Sequence, residues 1–123
     1  MSCLFCSLPK DRVKKENQFV IAIDDGFPVT RGHTLIIPKR HCDDFFNLTN
    51  EERLSAKILL EEMKNDLISK DIKIEGFNIG VNCGEAAGQT IFHCHIHLIP
   101  RRKGDVENPR GGIRHVIPDK GFY

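Results

Sequence analysis

The 123-residue sequence predicts a β-sheet with one long helix laid across one of its faces. Three observations predict that fold class. Residues 19–23, 34–37 and 76–82 are short runs rich in β-branched and aromatic side chains, bounded by Asp, Gly and Pro. Residues 91–99 alternate around three histidines with the period of two that a strand imposes. Between these runs, residues 50–70 carry apolar side chains at helical spacing. The length suits one domain, residues 1–123, with a core of its own.

Cys3 and Cys6 come first. A Cys-x-x-Cys pair is a redox dithiol, half of a zinc site, or two free thiols. The redox motif normally follows a strand, whereas this pair begins at residue 3. Zinc needs two further ligands, for which His41 and His93 are candidates. Residues 10–17 are polar and read as a loop. The strand at 19–23 stops at Asp24-Asp25-Gly26. Asp25 there is either an ordinary turn aspartate or a carboxylate placed to accept hydrogen bonds from a sugar diol. His33 precedes the strand at 34–37, which Pro38 ends. Lys39, Arg40 and His41 then form a basic cluster, either a solvated strand end or a phosphate contact. Thr49 and Glu52 have the spacing of a capping box. After them Leu54, Ile58, Met63 and Leu67, widened by Leu59, Leu60 and Ile68, predict the apolar stripe of the helix. In the strand at 76–82, Phe77, Ile79 and Val81 point one way, and Asn78, Gly80 and Asn82 point toward solvent or ligand. The connection at 84–90 contains glycines that let backbone N–H groups approach an anion, Gly88 among them, and Gln89 and Thr90 add side-chain donors. Arg101, Arg102 and Lys103 follow the last strand. The tail at 108–118 is loop-like and suited to crossing a partner subunit or lining a substrate mouth.

Residues 91–99 draw the chemistry together. Extended, they project His93, His95 and His97 from one face and Phe92, Cys94, Ile96 and Leu98 into a core on the other. Stacked imidazoles repel one another once protonated, so the cluster suits an anion or a metal in front of it better than it suits structure alone. A neutral imidazole is a good nucleophile at pH 7. On phosphorus it forms an N–P bond that water later breaks, while neighbouring imidazoles fix its tautomer and bind phosphoryl oxygens.

Composition narrows the field. Formal net charge is +1, which disfavours a protein that holds long nucleic acid by phosphate neutralisation. No apolar run is long enough to span a bilayer, and no signal-peptide pattern follows Met1. The odd count of 5 cysteines suits a reducing, cytoplasmic setting with thiols or metal ligands rather than disulfides.

His93-Cys94-His95-Ile96-His97-Leu98-Ile99 resembles the His-x-His-x-His-x-x signature of the histidine triad superfamily of nucleotide hydrolases and transferases. The stretches beginning at Asp24, Gly32 and Gly84 are similar to that family's other segments, in the same order. The resemblance implies an α+β fold, a mainly antiparallel sheet with a long helix, paired as a homodimer. It implies that His95 attacks the α-phosphorus of a nucleotide and that His97 binds the phosphate. His33 and His93 would support the site, His93 as a relay or as a metal ligand. It assigns Asp25 to the ribose hydroxyls, and Asn82, Gln89 and Thr90 to the phosphate and leaving group. Its metal-bearing branches imply a structural zinc on Cys3, Cys6, His41 and His93. The third triad position is His97 rather than glutamine, which disfavours the uridylyltransferase branch. The chain has no Trp, unlike many phosphoramidase tails, and residues 101–105 look more like the dinucleoside polyphosphate hydrolases. A non-catalytic nucleotide- or partner-binding module is the competing reading from another class.

Overall fold

A computed structural model describes residues 3–123; residues 1 and 2 lie outside the described residues. Five strands, β1 (Val13–Glu16), β2 (Val20–Asp24), β3 (Thr34–Pro38), β4 (Ile74–Gly80) and β5 (Ile96–Arg102), form one sheet in the order β1-β2-β3-β5-β4. Every neighbouring pair is antiparallel. One helix, α1 (Asn50–Lys70), lies on the sheet, and a short helical turn, Gly112–Val116, sits in the tail. The expected α+β architecture is therefore present. β1 falls inside the segment expected to be a loop. Its sequence Val-Lys-Lys-Glu carries charges suited to a solvated edge strand, and only alternate side chains are partly covered.

α1 starts where the capping box places it. The Thr49 hydroxyl accepts from the Glu52 N–H at 3.1 Å, and the Glu52 carboxylate accepts from the Thr49 N–H at 2.9 Å. Glu52 is also buried against Arg40, which donates from Nε and Nη2 at 3.1 and 2.8 Å. The apolar stripe differs from the expected one. Ala56, Leu59 and Met63 are buried, with Leu60 and Leu67 packed beside them, whereas Leu54, Ile58 and Ile68 are exposed on the opposite side. The helix carries two apolar stripes about half a turn apart, and only one meets Val20, Ala22, Ile36, Ile96 and Leu98 of the sheet.

The other sheet face is built from alternate residues. Ile23, Leu35 and Ile37 are buried there beneath Phe5, Leu8 and Ile21. Leu35 is directly opposite His97, and Gly80 faces His97 from the other side, so all three share this face. The sheet thus separates a helix-covered core from the face that carries the imidazoles.

The expected strand at 91–99 begins only at Ile96. Pro38 has no N–H to extend the β3 ladder, and its carbonyl is taken by the His93 ring at 2.8 Å. The Cys94 N–H donates to the Cys42 carbonyl at 2.8 Å instead of to β3. Phe92, expected in the core, is 45% exposed, while Cys94, Ile96 and Leu98 are buried as the alternation requires.

Candidate active site and metal centre

The bend before β5 sends the three histidines to different tasks. His93 is fully buried. Its Nε2–H donates to the Pro38 carbonyl, so the lone pair is on Nδ1. That atom lies 3.4 Å from the Cys3 sulfur and 3.5 Å from the Cys6 sulfur. The Cys6 sulfur lies 3.3 Å from His41 Nδ1, and the four donor atoms are all within 4.8 Å of one another. Tetrahedral zinc with ordinary Zn–S and Zn–N bonds sets neighbouring donors about 3.6 Å apart. Ligand number, donor type and spacing therefore fit a closed structural zinc site. The Pro38 carbonyl supplies the outer-shell partner that orients a ligating imidazole. Lys39-Arg40-His41 is not one basic patch. Lys39 pairs with Glu16 at 2.8 Å, Arg40 with Glu52, and His41 turns to the metal centre.

His95 is half-buried, and its Nδ1–H donates to the His93 carbonyl at 2.8 Å. A neutral ring with its proton there keeps an unshared pair on Nε2. The Phe5 ring meets it in an edge-to-face arrangement, with centroids 5.0 Å apart.

His97 belongs to a second cluster, with His33 and Asp25. The Val29 N–H donates to His33 Nδ1 at 3.1 Å, which leaves the His33 proton on Nε2. That proton reaches His97 Nδ1 at 2.9 Å, with Asp25 Oδ2 at 3.3 Å as a second acceptor. His97 in turn carries its proton on Nε2, as a donor. Burial pushes His33 and His97 below the ordinary imidazole range. For His97 the neighbouring His95 and His33 act the same way, and the Asp25 charge opposes the shift in both. Asp25 is therefore more than a turn residue, although its Oδ1 does accept the turn bond from the Phe27 N–H at 2.8 Å. A cavity of about 410 Å³ reaches Asp25 and His33 from the side of Met63 and Leu67.

The connection at 84–90 divides its expected ligands. Gly88 and Thr90 are exposed, with Gly88 in the left-handed region at φ 94°. Gln89 is buried, and its side chain is spent on the loop. Its amide donates to the Asp43 and Ile91 carbonyls at 2.6 and 3.1 Å, and its oxygen accepts from the Gly84 N–H at 2.8 Å. That geometry makes Gln89 a clamp rather than a free phosphate donor. Asn82 is half-buried two residues past Gly80, on the stretch leading from β4 into this loop. Arg101 and Arg102 are likewise engaged, Arg101 with Asp105 and Asn78, Arg102 with Asp71. Asp71, held by Arg31, the Lys73 N–H and Arg102, is lowered to about 2.

Three contributors escape a reading of the sequence: Phe5, the Val29 N–H and the Pro38 carbonyl. The last two are backbone groups that side-chain chemistry does not mark. Phe5 has a signal, since it sits between the two cysteines.

The HIT domain family model matches residues 8–104. An uncharacterised HIT-like protein of Saccharolobus solfataricus is 32% identical over 125 residues, covering 98% of this chain and 89% of its own. A crystal structure of a Zn-bound histidine triad family protein from Mycobacterium smegmatis superposes with a TM-score of 0.76 at 36% identity, covering 87% of this chain and 80% of that one. A hypothetical histidine triad nucleotide-binding protein from Sulfolobus tokodaii gives 0.70 at 31%, covering 76% and 62%. With its sheet, its three histidines and its four-ligand cluster accounted for, the chain belongs to the HIT domain family.

Proposed function

We propose that the protein is a nucleotide hydrolase that cleaves at a nucleoside α-phosphate, in a dinucleoside polyphosphate or a related nucleotide, through a nucleotidyl group carried on His95. One observation carries this reading: the Nδ1–H of His95 is spent on the His93 carbonyl, so a neutral ring keeps its unshared pair on Nε2. Nε2 attacks the α-phosphorus, and the bond to the bridging atom breaks with its electron pair leaving on that atom. Water then attacks the same phosphorus, gives up a proton to solvent in place of the one the leaving group takes up there, releases the nucleoside monophosphate and returns the electron pair to Nε2. His97, with its proton on Nε2, donates to a phosphoryl oxygen and steadies the charge that grows there. His33 fixes the His97 tautomer from behind, and Asp25 balances the pair. Asp25 also accepts from the ribose hydroxyls, while Asn82, Thr90 and the amide near Gly88 meet the phosphate and leaving group. The metal-site residues contribute position rather than chemistry, because four protein ligands leave no open coordination position for water.

The exposed side of α1, at Leu54, Ile58 and Ile68, and the open edge of β4 support a homodimer. No helix among the described residues is long and apolar enough to cross a membrane. The odd count of 5 cysteines supports a reducing, cytoplasmic setting. The residue span 1–123 acts as one histidine triad domain.

Mass spectrometry of products from a nucleotide panel in heavy-oxygen water tests the reaction. One heavy oxygen on the nucleoside monophosphate supports attack at the α-phosphorus, and label on the other product contradicts it. An AMP–amine substrate hydrolysed faster than a diadenosine polyphosphate would instead make the protein a purine nucleoside phosphoramidase. Failure to trap any nucleotidyl adduct would favour a binding module without turnover.

A further inference from the structure

The segment 3–8 has no strand partner; the first sheet residue is Val13. Two kinds of contact tie it to the body. Cys3 and Cys6 reach into the metal centre, and Phe5 and Leu8 pack on Ile23, Leu35 and Ile37. Between the cysteines the chain makes one tight helical turn, Leu4–Cys6, closed by the Cys6 N–H donating to the Cys3 carbonyl at 3.1 Å. The Phe5 ring is thus slung between two ligand residues. It meets His95 edge to face, centroids 5.0 Å apart and planes at 70°, and also meets His93 at 6.0 Å and 87°.

His95 needs such a prop. Its hydrogen bond to the His93 carbonyl anchors one ring atom, and a single bond at Nδ1 leaves the ring free to swing about that point. The neighbouring His97 ring, with centroids 5.4 Å away, borders one side. Phe5 borders another, and an aromatic edge contact has a preferred geometry as well as bulk.

We propose that Phe5 is a positioning residue for His95, held in place by the Cys3–Cys6 metal clamp, so that metal occupancy sets the posture of the nucleophile. The idea that the posture matters for turnover rests on the nucleophile reading given above; the posture itself does not. Small shifts of a reacting group carry large rate effects, and a ligand that favours one arrangement shifts its population.

The test uses the full-length protein loaded with zinc, with three-bond couplings that report χ1 of His95. The native protein gives one rotamer. Phe5→Ala, with zinc content and melting temperature checked, gives averaged couplings, and Phe5→Tyr restores the single rotamer. Phe5→Leu fills the space without a ring and serves if the alanine variant fails to fold; it too gives averaging. Chelation averages the couplings of the native protein and changes those of Phe5→Ala little. In single-turnover assays the rate of adduct formation on His95 falls about two- to tenfold in Phe5→Ala, the size of one aromatic contact. A single His95 rotamer in both Phe5→Ala and Phe5→Leu overturns the proposal. So does an equal response to chelation with and without Phe5, which would route the effect through the His93 backbone. Averaged couplings with no adduct in the native protein would sustain the positioning role while removing the nucleophile reading.

Discussion

Two histidine clusters sit within one short stretch of the same sheet face, and they differ in what occupies the second nitrogen of each ring. At the metal centre, His93 donates from Nε2 to a backbone carbonyl and turns its Nδ1 lone pair toward two sulfurs. In the cluster of Asp25, His33 and His97, a backbone N–H takes the lone pair of His33 and a chain of donors follows. His95 stands between them, tied to the first by the His93 carbonyl and edged by His97 of the second. On the function proposed above, one residue type would serve as ligand, relay and nucleophile, with the backbone partner of the idle nitrogen in His93, His33 and His95 selecting the task.

Replacing the residue between the clusters has the largest expected effect. His95→Ala should reduce turnover by roughly a thousandfold or more, because no neighbouring group replaces the attacking atom. Circular dichroism and nucleotide affinity should be nearly unchanged. Residual turnover near the native rate would remove His95 from the mechanism.

Breaking one cluster and sparing the other comes next. His93→Ala takes a ligand from the metal centre and leaves the buried Pro38 carbonyl unpaired, which should destabilise the fold by roughly 3 kcal/mol. Metal analysis should show zinc content falling with it. His33→Ala removes an imidazole from the other cluster and should leave zinc content as it was. Equal metal loss in both variants would mean that the two clusters are not separate sites.

The difference between the clusters also marks how far the sequence could be read. Strands β2, β3 and β4, the capping box at Thr49 and the apolar alternation at Cys94, Ile96 and Leu98 were legible because period and capping are local properties. Asp25, His33 and His97 were legible as types but not as a relay, since that depends on the Val29 N–H. The start of β5 at Ile96 was not legible, because the backbone groups that interrupt the ladder, at Pro38 and Cys42, are distant in sequence. The helix stripe differs from the expected one for a related reason. Leu54, Ile58 and Ile68 are as apolar as Leu59 and Met63, and only the docking of α1 on the sheet distinguishes the two sides.

A smaller effect separates a clamp from a ligand. Gln89→Ala frees the Gly84 N–H and two carbonyls, one of them at Asp43 beside the metal-side loop. The expected loss is about 1–3 kcal/mol of stability in denaturant melts. Asn82→Ala, at a half-buried position outside that bonding, should affect substrate KM more than stability. Were Gln89→Ala to raise KM with no change in stability, its amide would have to leave the loop to meet the nucleotide.

The mildest expected effect is a response to pH that belongs to one cluster alone. Burial holds His33 and His97 below the ordinary imidazole value, so the folded protein resists protonation there while the unfolded chain accepts it. Stability from this source is fully present above about pH 6.5, the unfolded value, and is lost as pH falls toward the lower folded values. Asp25 partly offsets the shift in both rings. Asp25→Asn removes that offset, lowers both folded values further, and widens the window over which the unfolded chain binds more protons. Melting temperatures measured between pH 7 and pH 5 should therefore fall more steeply for Asp25→Asn than for the native protein. Parallel curves would show that Asp25 does not act on these rings, and the relay would reduce to a hydrogen bond between His33 and His97.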